Sequence, residues 1–557
     1  MPSHRRAASA LHCLVMPIRL RPSPGRPSIR ATAALVLAAG LVTSCAADAG
    51  VITLSASQTP ADSTVPTATT QRPVTVDETT STSAPPADTQ PEVTLPPIIA
   101  PELNASIPIE DVVNIDADKP VRAHDDFVAV AFTDIERWWA EVYPTVYGSE
   151  FQPLEGGIYA GYPERTTAIP GCGEPATVYN DLQLYVAFYC EFGDFMAYDD
   201  GDGRNSLLTP LADAYGPAVM GIVLAHEYGH AIQSRTGALD QFLATILTEQ
   251  QADCFAGAWT GQAYRGESPL LRLGDADVRA GLLAMLEVRD PVGTDQFVPG
   301  GHGSAFDRVG AFQEGFVNGP GRCAELLDAP LPLMPNQFQE QSDYQRGGNA
   351  SYDCSDDPRA TCRPAPEFLA DDINDFWTTA LGPEFAVASP QAVAGDLASV
   401  SCADRVDLAD EVVVCPAERS IVFDEPAIRE LYDEFGDFSL GYFYGIAWGE
   451  LAQEFLDSTL SGEPRALLND CFTGAWVRDI TPDSLGNTPR QGDRDGDGDP
   501  DTVTSSPGDL DEAIRMAILV GDTGVNVDLV GSPFEKIESF RTGVLGGLDS
   551  CIAQMPG

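Results

Sequence analysis

Positive charge is scarce in this chain. Its 557 residues hold 32 Lys and Arg against 83 Asp and Glu, for a formal net charge of -51. An exterior this acidic repels phosphate backbones and anionic lipid surfaces, which argues against nucleic acid as a partner and for a very soluble protein. Histidine is scarcer still, with six residues and none beyond His302. Cysteines number 12, yet no two form a C-x-x-C pair, so a zinc-thiolate module is not indicated. The apolar segment near the N-terminus, residues 31–42, is too short to span a bilayer comfortably.

That segment follows Arg19, Arg21, Arg26 and Arg30 and reads as part of an export signal, with Met16 a second candidate start. It ends Val42-Thr43-Ser44-Cys45, which resembles a bacterial lipobox with Cys45 as the acylated residue. Ordinary signal cleavage nearby, leaving Cys45 as a free thiol, is the alternative. The lipobox implies an extracytoplasmic protein attached to the membrane through an N-terminal lipid anchor. Residues 46–108 are rich in Thr, Ser and Pro and nearly free of aromatics, so they cannot bury enough surface to offset their ordering entropy. They read as a disordered tether, and folded sequence is expected from about Asp116.

The chemistry is concentrated in Ala225-His226-Glu227-Tyr228-Gly229-His230, preceded by the apolar run Ala218 to Leu224. Two imidazoles four apart on a helix share a face and reach one metal ion. Glu227 follows the first of them, where a carboxylate can take a proton from water. A chance pair of solvated histidines is the bland alternative, and an apolar helix rarely buries two histidines without partners. Glu249 and Asp253, also four apart, sit in the next apolar stretch, Thr248 to Trp259. Glu249 is read as third zinc ligand, with Asp253 hydrogen-bonding a ligand histidine's far nitrogen; the reverse assignment stays open.

H-E-Y-G-H-A-I-Q followed by E-x-Q-A-D-C-F-A-G-x-W resembles the bacterial neutral zinc metallopeptidase family, and the E-x-x-A-D element resembles gluzincins, whose third ligand is a glutamate. The likeness covers roughly residues 120 to 325, taking in Cys172, Cys190, His302-Gly303-Ser304, Arg308 and Cys323. It implies a zincin-like α+β fold, peptide or protein substrates, and zinc as cofactor. An amphipathic first helix around Asp134 to Trp139, and strands within Leu182 to Tyr189, fit that class.

The later half echoes the earlier one. Asp134-Ile135-x-x-Trp138-Trp139 recurs as Asp372-Ile373-x-x-Phe376-Trp377, and Asp253-Cys254-Phe255-x-Gly257-Ala258-Trp259 as Asp470-Cys471-Phe472-x-Gly474-Ala475-Trp476. Phe306, Val309, Phe312, Gly315 and Cys323 match Phe534, Ile537, Phe540, Gly543 and Cys551. The chain is therefore read as a signal over 1–45, the tether over 46–108, a zinc metallopeptidase domain over 116–335, a linker over 336–364, and a metal-free second copy over 365–557. The alignment sets Gly449, Glu450 and Gln453 opposite His226, Glu227 and His230, and Ala466 opposite Glu249. His302 also lacks a counterpart, since Val530 stands in its place, which favours a role near the chemistry over a surface turn.

Symmetry between the copies suggests the disulfides Cys172–Cys190 with Cys402–Cys415, and Cys254–Cys323 with Cys471–Cys551, leaving Cys354 and Cys362 to close a small linker loop. The second copy carries an insertion in which Asp493, Asp495, Asp497, Asp499 and Asp501 alternate with other residues. It resembles an EF-hand-like calcium loop but ends at Thr504 rather than a glutamate, so a solvated acidic loop is the alternative. Two functions remain in contention: a membrane-anchored zinc metallopeptidase, and a cell-surface binding or scaffold lipoprotein with a structural zinc site. A fourth protein ligand would mark the second.

Overall fold

The computed structural model describes residues 100–173, 186–202, 206–241, 243–338, 341–355, 362–395, 397–408, 411–481, 504–521 and 531–556. Cys45 and the aspartates from Asp493 to Asp501 lie outside them. The protein is α+β, with two small mixed sheets and two sets of packed helices. Among the described residues no helix is long and apolar enough to cross a membrane.

Folded structure begins earlier than the composition suggests. Strand β1 (Glu102–Leu103) pairs antiparallel with β6 (Leu271–Arg272), so residues 102–103, inside the span expected to be tether, are already part of the fold. A two-residue strand carries no alternation, and its partner lies far along the chain, so sequence pattern cannot reveal it. Strands β2 (Val113–Asn114), β3 (Gly157–Gly161), β4 (Ala187–Cys190) and β5 (Phe195–Asp199) form a sheet in the order β2-β3-β5-β4. β2, β3 and β5 run parallel, and β4 is the antiparallel edge. The strand expected within Leu182 to Tyr189 appears as Ala187–Cys190, with 182–185 outside the described residues.

Five longer helices complete the first half: α1 (Asp125–Tyr147), α3 (Ala218–Thr236), α4 (Thr245–Tyr264), α5 (Asp275–Glu287) and α6 (Ala305–Glu325), with the short α2 (Leu208–Tyr215). Acidic Asp125 and Asp126 favour the start of α1, and Gly148 and Gly237, both in the left-handed region, end α1 and α3. α4 is buried on nearly every side from Thr248 to Ala263, which makes it the central helix. It meets α6 backbone to backbone: a Cβ at Gly257 would overlap the Phe312 carbonyl, and one at Gly315 the Cys254 carbonyl. Cys254–Cys323 ties the same pair, and Cys172–Cys190 ties the edge strand β4. Asp134 on α1 accepts hydrogen bonds from Trp259 Nε1 at 3.0 Å and from Gln262 at 2.9 Å on α4.

After α7 (Gln341–Arg346) the same contacts return. Strands β7 (Gln391–Val393), β8 (Val406–Leu408), β9 (Val412–Cys415) and β10 (Ser420–Asp424) form a sheet in which β7 and β10 are parallel and β9 antiparallel to β10, as for β3, β5 and β4. The helices are α8 (Ala365–Leu381), α9 (Glu425–Phe435), α10 (Asp437–Phe455), α11 (Glu463–Ile480), α12 (Asp509–Gly521) and α13 (Pro533–Ile552). Trp476 on α11 donates to Asp372 on α8 at 2.7 Å. Gly474 and Gly543 bring α11 against α13, and Cys471–Cys551 ties that pair. Ser304 and Ser532 open α6 and α13 with the same capping box, closed by Asp307 and Glu535. Cys402–Cys415 and Cys354–Cys362 complete the five disulfides, the pairing that the sequence symmetry suggested. The described halves belong to one compact unit, joined by Phe316 against Phe534 and by Arg289 paired with Asp511 at 2.7 Å.

Candidate metal centre

α3 and α4 lie against each other because Gly229 has no side chain: a Cβ there would sit 2.9 Å from the Ala252 Cα. That approach sets His226 and His230 of α3 facing Glu249 of α4, with one ligand atom from each within 4.8 Å of the others. The separations are 3.2 Å from His226 Nε2 to His230 Nε2, 3.2 Å from His226 Nε2 to Glu249 Oε2, and 3.5 Å from His230 Nε2 to Glu249 Oε2. Ligands about 2.0–2.1 Å from a tetrahedral zinc stand roughly 3.3–3.4 Å apart, so this triangle fits such an ion. Glu249 Oε2 is buried and accepts no hydrogen bond, which leaves a lone pair for the same purpose.

Hydrogen bonds behind the imidazoles settle which ring nitrogen faces inward. His226 Nδ1 lies 2.7 Å from Asp253 Oδ1, and an ionised carboxylate only accepts, so Nδ1 donates to it and Nε2 is the nitrogen left facing inward. His230 Nδ1 lies 2.9 Å from Gln233 Oε1. The Gln233 amide donates its Nε2 to the Thr248 carbonyl at 2.7 Å, so its oxygen must accept from His230. Asp253 is held in turn by Arg308, whose Nε and Nη2 reach its two oxygens at 2.9 and 2.8 Å. The alternatives for the two acids thus separate by place: Glu249 faces both inner nitrogens, whereas Asp253 sits behind His226.

Without an ion the same acids favour a proton on the imidazoles. Burial opposes protonation of His226 most strongly, yet Asp253 and Glu249 outweigh it and hold the imidazole up to about 10. His230 is raised in the same way, burial being overcome chiefly by Glu249. Burial pushes the Glu249 carboxyl up, but His230 and His302 hold it well below its ordinary range.

Glu227 is 8% exposed, makes no hydrogen bond to the described residues, and lies near enough to bias His230. His302 stands at the rim, its Nε2 3.8 Å from Glu249 Oε2. Asp290 holds it: Oδ2 accepts from the His302 and Gly303 backbone N–H groups at 2.8 Å each, and Oδ1 lies 3.6 Å from His302 Nδ1. Sequence reasoning missed Asp290 and Gln233. Gln233 lies three residues past His230 on the same helix, a signal that was there to read; Asp290 carries no motif.

In the second half the matching contacts correct the aligned register. A Cβ at Gly449 would sit 3.1 Å from the Asn469 Cα, as Gly229 faces Ala252, and Gln453 donates to the Arg465 carbonyl at 2.7 Å, as Gln233 donates to Thr248. Ile446, Ala447 and Glu450 therefore occupy the places of His226, Glu227 and His230, one helical turn from Gly449, Glu450 and Gln453. Glu450 is closed off by Arg465 at 2.6 Å and by Asn469 at 3.0 Å. Asp470, in the place of Asp253, pairs with Lys536 at 2.8 Å and accepts from Tyr442 at 2.5 Å.

Residues 108–325 match the family described as "Putative neutral zinc metallopeptidase". Uncharacterised proteins of Mycobacterium bovis and Mycobacterium tuberculosis are each 33% identical over 165 residues, covering 26% of this chain and 56% of theirs. Uncharacterized protein YpfJ of Escherichia coli is 27% identical over 221 residues, covering 35% of this chain and 69% of its own. The chain thus spans about half the length of the mycobacterial relatives it matches. No solved structure matches it. The segment that holds the His226–His230–Glu249 triangle is the one that matches a family of zinc metallopeptidases.

Proposed function

We propose that the chain is a zinc-dependent metallopeptidase of this family, acting on peptides or proteins. The observation that carries the reading is the ligand triangle with Glu227 beside it, buried and unengaged. When bound by His226, His230 and Glu249, zinc supplies a Lewis acid that acidifies water and polarises a carbonyl. The Glu227 carboxylate takes the proton of the attacking water and passes it to the departing amine. Asp253 and Gln233 keep both imidazoles in the tautomer with inward lone pairs. His302, steadied by Asp290, donates toward the charge developing on the scissile carbonyl oxygen. A binding or scaffold lipoprotein with structural zinc would need a fourth protein ligand, whereas three ligand atoms converge among the described residues.

In this reading Cys45 anchors the mature chain to the outer face of the cell membrane, and residues 46 to about 100 serve as tether. Residues 365–557 are a metal-free descendant of the peptidase fold, a view supported by the recurring glycine contacts, disulfide and Trp–Asp bond. The test is peptide-library cleavage followed by mass spectrometry, comparing the parent with Glu227→Gln at equal zinc content. Cleavage by the parent alone is the expected result. Equal cleavage by both would refute the assigned base, and silence from both, with zinc bound, would favour the scaffold.

A further inference from the structure

A second cluster of hard ligands lies where α10 and α12 begin. Asp437 opens α10, and Asp509 and Glu512 lie in the first turn of α12. One oxygen from each lies within 4.8 Å of the others. Each carboxylate is fixed along one edge. Asp437 Oδ2 accepts from Ala350 N at 2.9 Å, Asp509 Oδ2 accepts from Ser506 N at 2.8 Å, and Glu512 Oε2 accepts from Phe438 N at 2.8 Å. Asp437 is 6% exposed, and its second oxygen, Oδ1, is buried and accepts no hydrogen bond. A buried carboxylate oxygen without a donor is costly unless a positive charge completes it.

We propose that Asp437, Asp509 and Glu512 bind a hard divalent cation of the calcium class. The donors are all carboxylate oxygens, the type calcium prefers and soft transition metals do not. They come from two helix starts that are already held by backbone N–H groups, so little further ordering is needed. Arg346 offsets part of the charge at Asp437, while the charges acting most strongly on Asp509 and Glu512 are other carboxylates, Asp511 among them. Asp511 is itself paired with Arg289. Glu512 is partly exposed and gives a path for entry and for completing waters.

The position gives the ion a structural consequence. Asn349 Oδ1 accepts from Asp437 N at 2.9 Å, and Gly348 O accepts from Ser506 Oγ at 2.9 Å. The cluster therefore clasps the segment that joins the two halves onto the second half. A cation here would lock that joint, while the ligand triangle in the first half keeps its own ion.

The test uses the full mature chain, zinc-loaded and then freed of calcium with a chelator selective for it. Terbium emission, sensitised by Trp476 stacked on Phe438 next to Asp437, reports binding directly. Expected are saturable terbium emission displaced by calcium, dissociation constants on the order of 10⁻⁴ M, and an unfolding constant lowered about 100-fold at calcium a hundred times above that value. Asp437→Asn and Asp509→Asn should each abolish the calcium response while leaving the calcium-free protein at least as stable, because repulsion is relieved. No terbium or calcium response in the parent would overturn the proposal and leave protons as what neutralises the cluster. A response that survives both variants but vanishes in Asp495→Ala/Asp497→Ala would overturn it as well, by placing the ion in the Asp-rich loop.

Discussion

Replacing Asp253 with Asn separates two jobs that one carboxylate performs. The side chain keeps its shape but loses its charge, so Arg308, 4% exposed and bound to both Asp253 oxygens, is left as a buried cation with a neutral partner. Removing one partner of a buried ion pair costs about 3–5 kcal/mol, and an Asn that still accepts one bond puts the expected loss at the lower end. The amide can also present its NH₂ to His226 Nδ1, favouring the tautomer whose inner nitrogen carries the proton. Losing such an outer partner weakens zinc by roughly 10–100-fold, or about 1.4–2.7 kcal/mol. Glu249→Gln should show the opposite balance: it removes the charged inner oxygen that lies 3.2 and 3.5 Å from the two imidazoles, so zinc affinity falls further and folding suffers less. Chelator competition reads the zinc affinity of each variant, and denaturant unfolding of the zinc-free forms reads stability. If Asp253→Asn proved the worse zinc binder, the roles given to the two acids would be reversed, and the inward placement of Glu249 would not describe the loaded enzyme.

His302→Ala should slow peptide cleavage roughly 10²–10³-fold while leaving zinc stoichiometry intact, as expected for a lost hydrogen bond to a developing oxyanion; an unchanged rate removes it from the site. Burial holds the Asp307 carboxyl up to about 7, so its folded value lies above its unfolded one. The stability it contributes is whole below about pH 4 and is lost as pH rises through 7, a change on the order of 4 kcal/mol. Asp307→Asn should flatten that part of the stability-pH curve, and an unaltered slope would refute the shift. Cys45→Ser should release the mature protein from the membrane fraction into the extracytoplasmic fluid without affecting cleavage by the purified enzyme; continued membrane association would refute the lipid anchor.

The metal centre was legible because its chemistry is local. His226, Glu227 and His230 sit within five residues of one helix, and Glu249 and Asp253 within five of the next, so helical periodicity alone sets each set on one face. What holds the centre in place was less so. Asp290 reaches His302 through backbone N–H groups twelve residues on, a loop contact with no periodic signature. Leu103 of β1 found its partner Leu271 168 residues away, beyond the reach of any local pattern. The slip of α10 has a plain cause. Glu450 and Gln453 repeat the three-residue spacing of Glu227 and His230, while the residues that fix register, Gly449 against α11 and Gln453 on the Arg465 carbonyl, act through contacts between helices.

The register of the second half also bears on the reading of it as a metal-free relative of the first. Around the two histidines Asp253 is paired with Arg308, while Glu249 faces only imidazoles, so its charge is the one that a bound ion would take up. In the second half Ile446, Ala447 and Ala466 stand at the matching contacts, and the two acids there, Glu450 and Asp470, each pair with a cation, Arg465 and Lys536. The acids of the first site are matched by imidazoles and one guanidinium, those of the second by Arg465 and Lys536. Restoring ligands singly in the second half would therefore not rebuild a zinc site, because Arg465 and Lys536 already neutralise the charge that would draw the ion in. If the second half descends from the first, as proposed above, loss of the metal and gain of those two cations form a single exchange, each making the other tolerable.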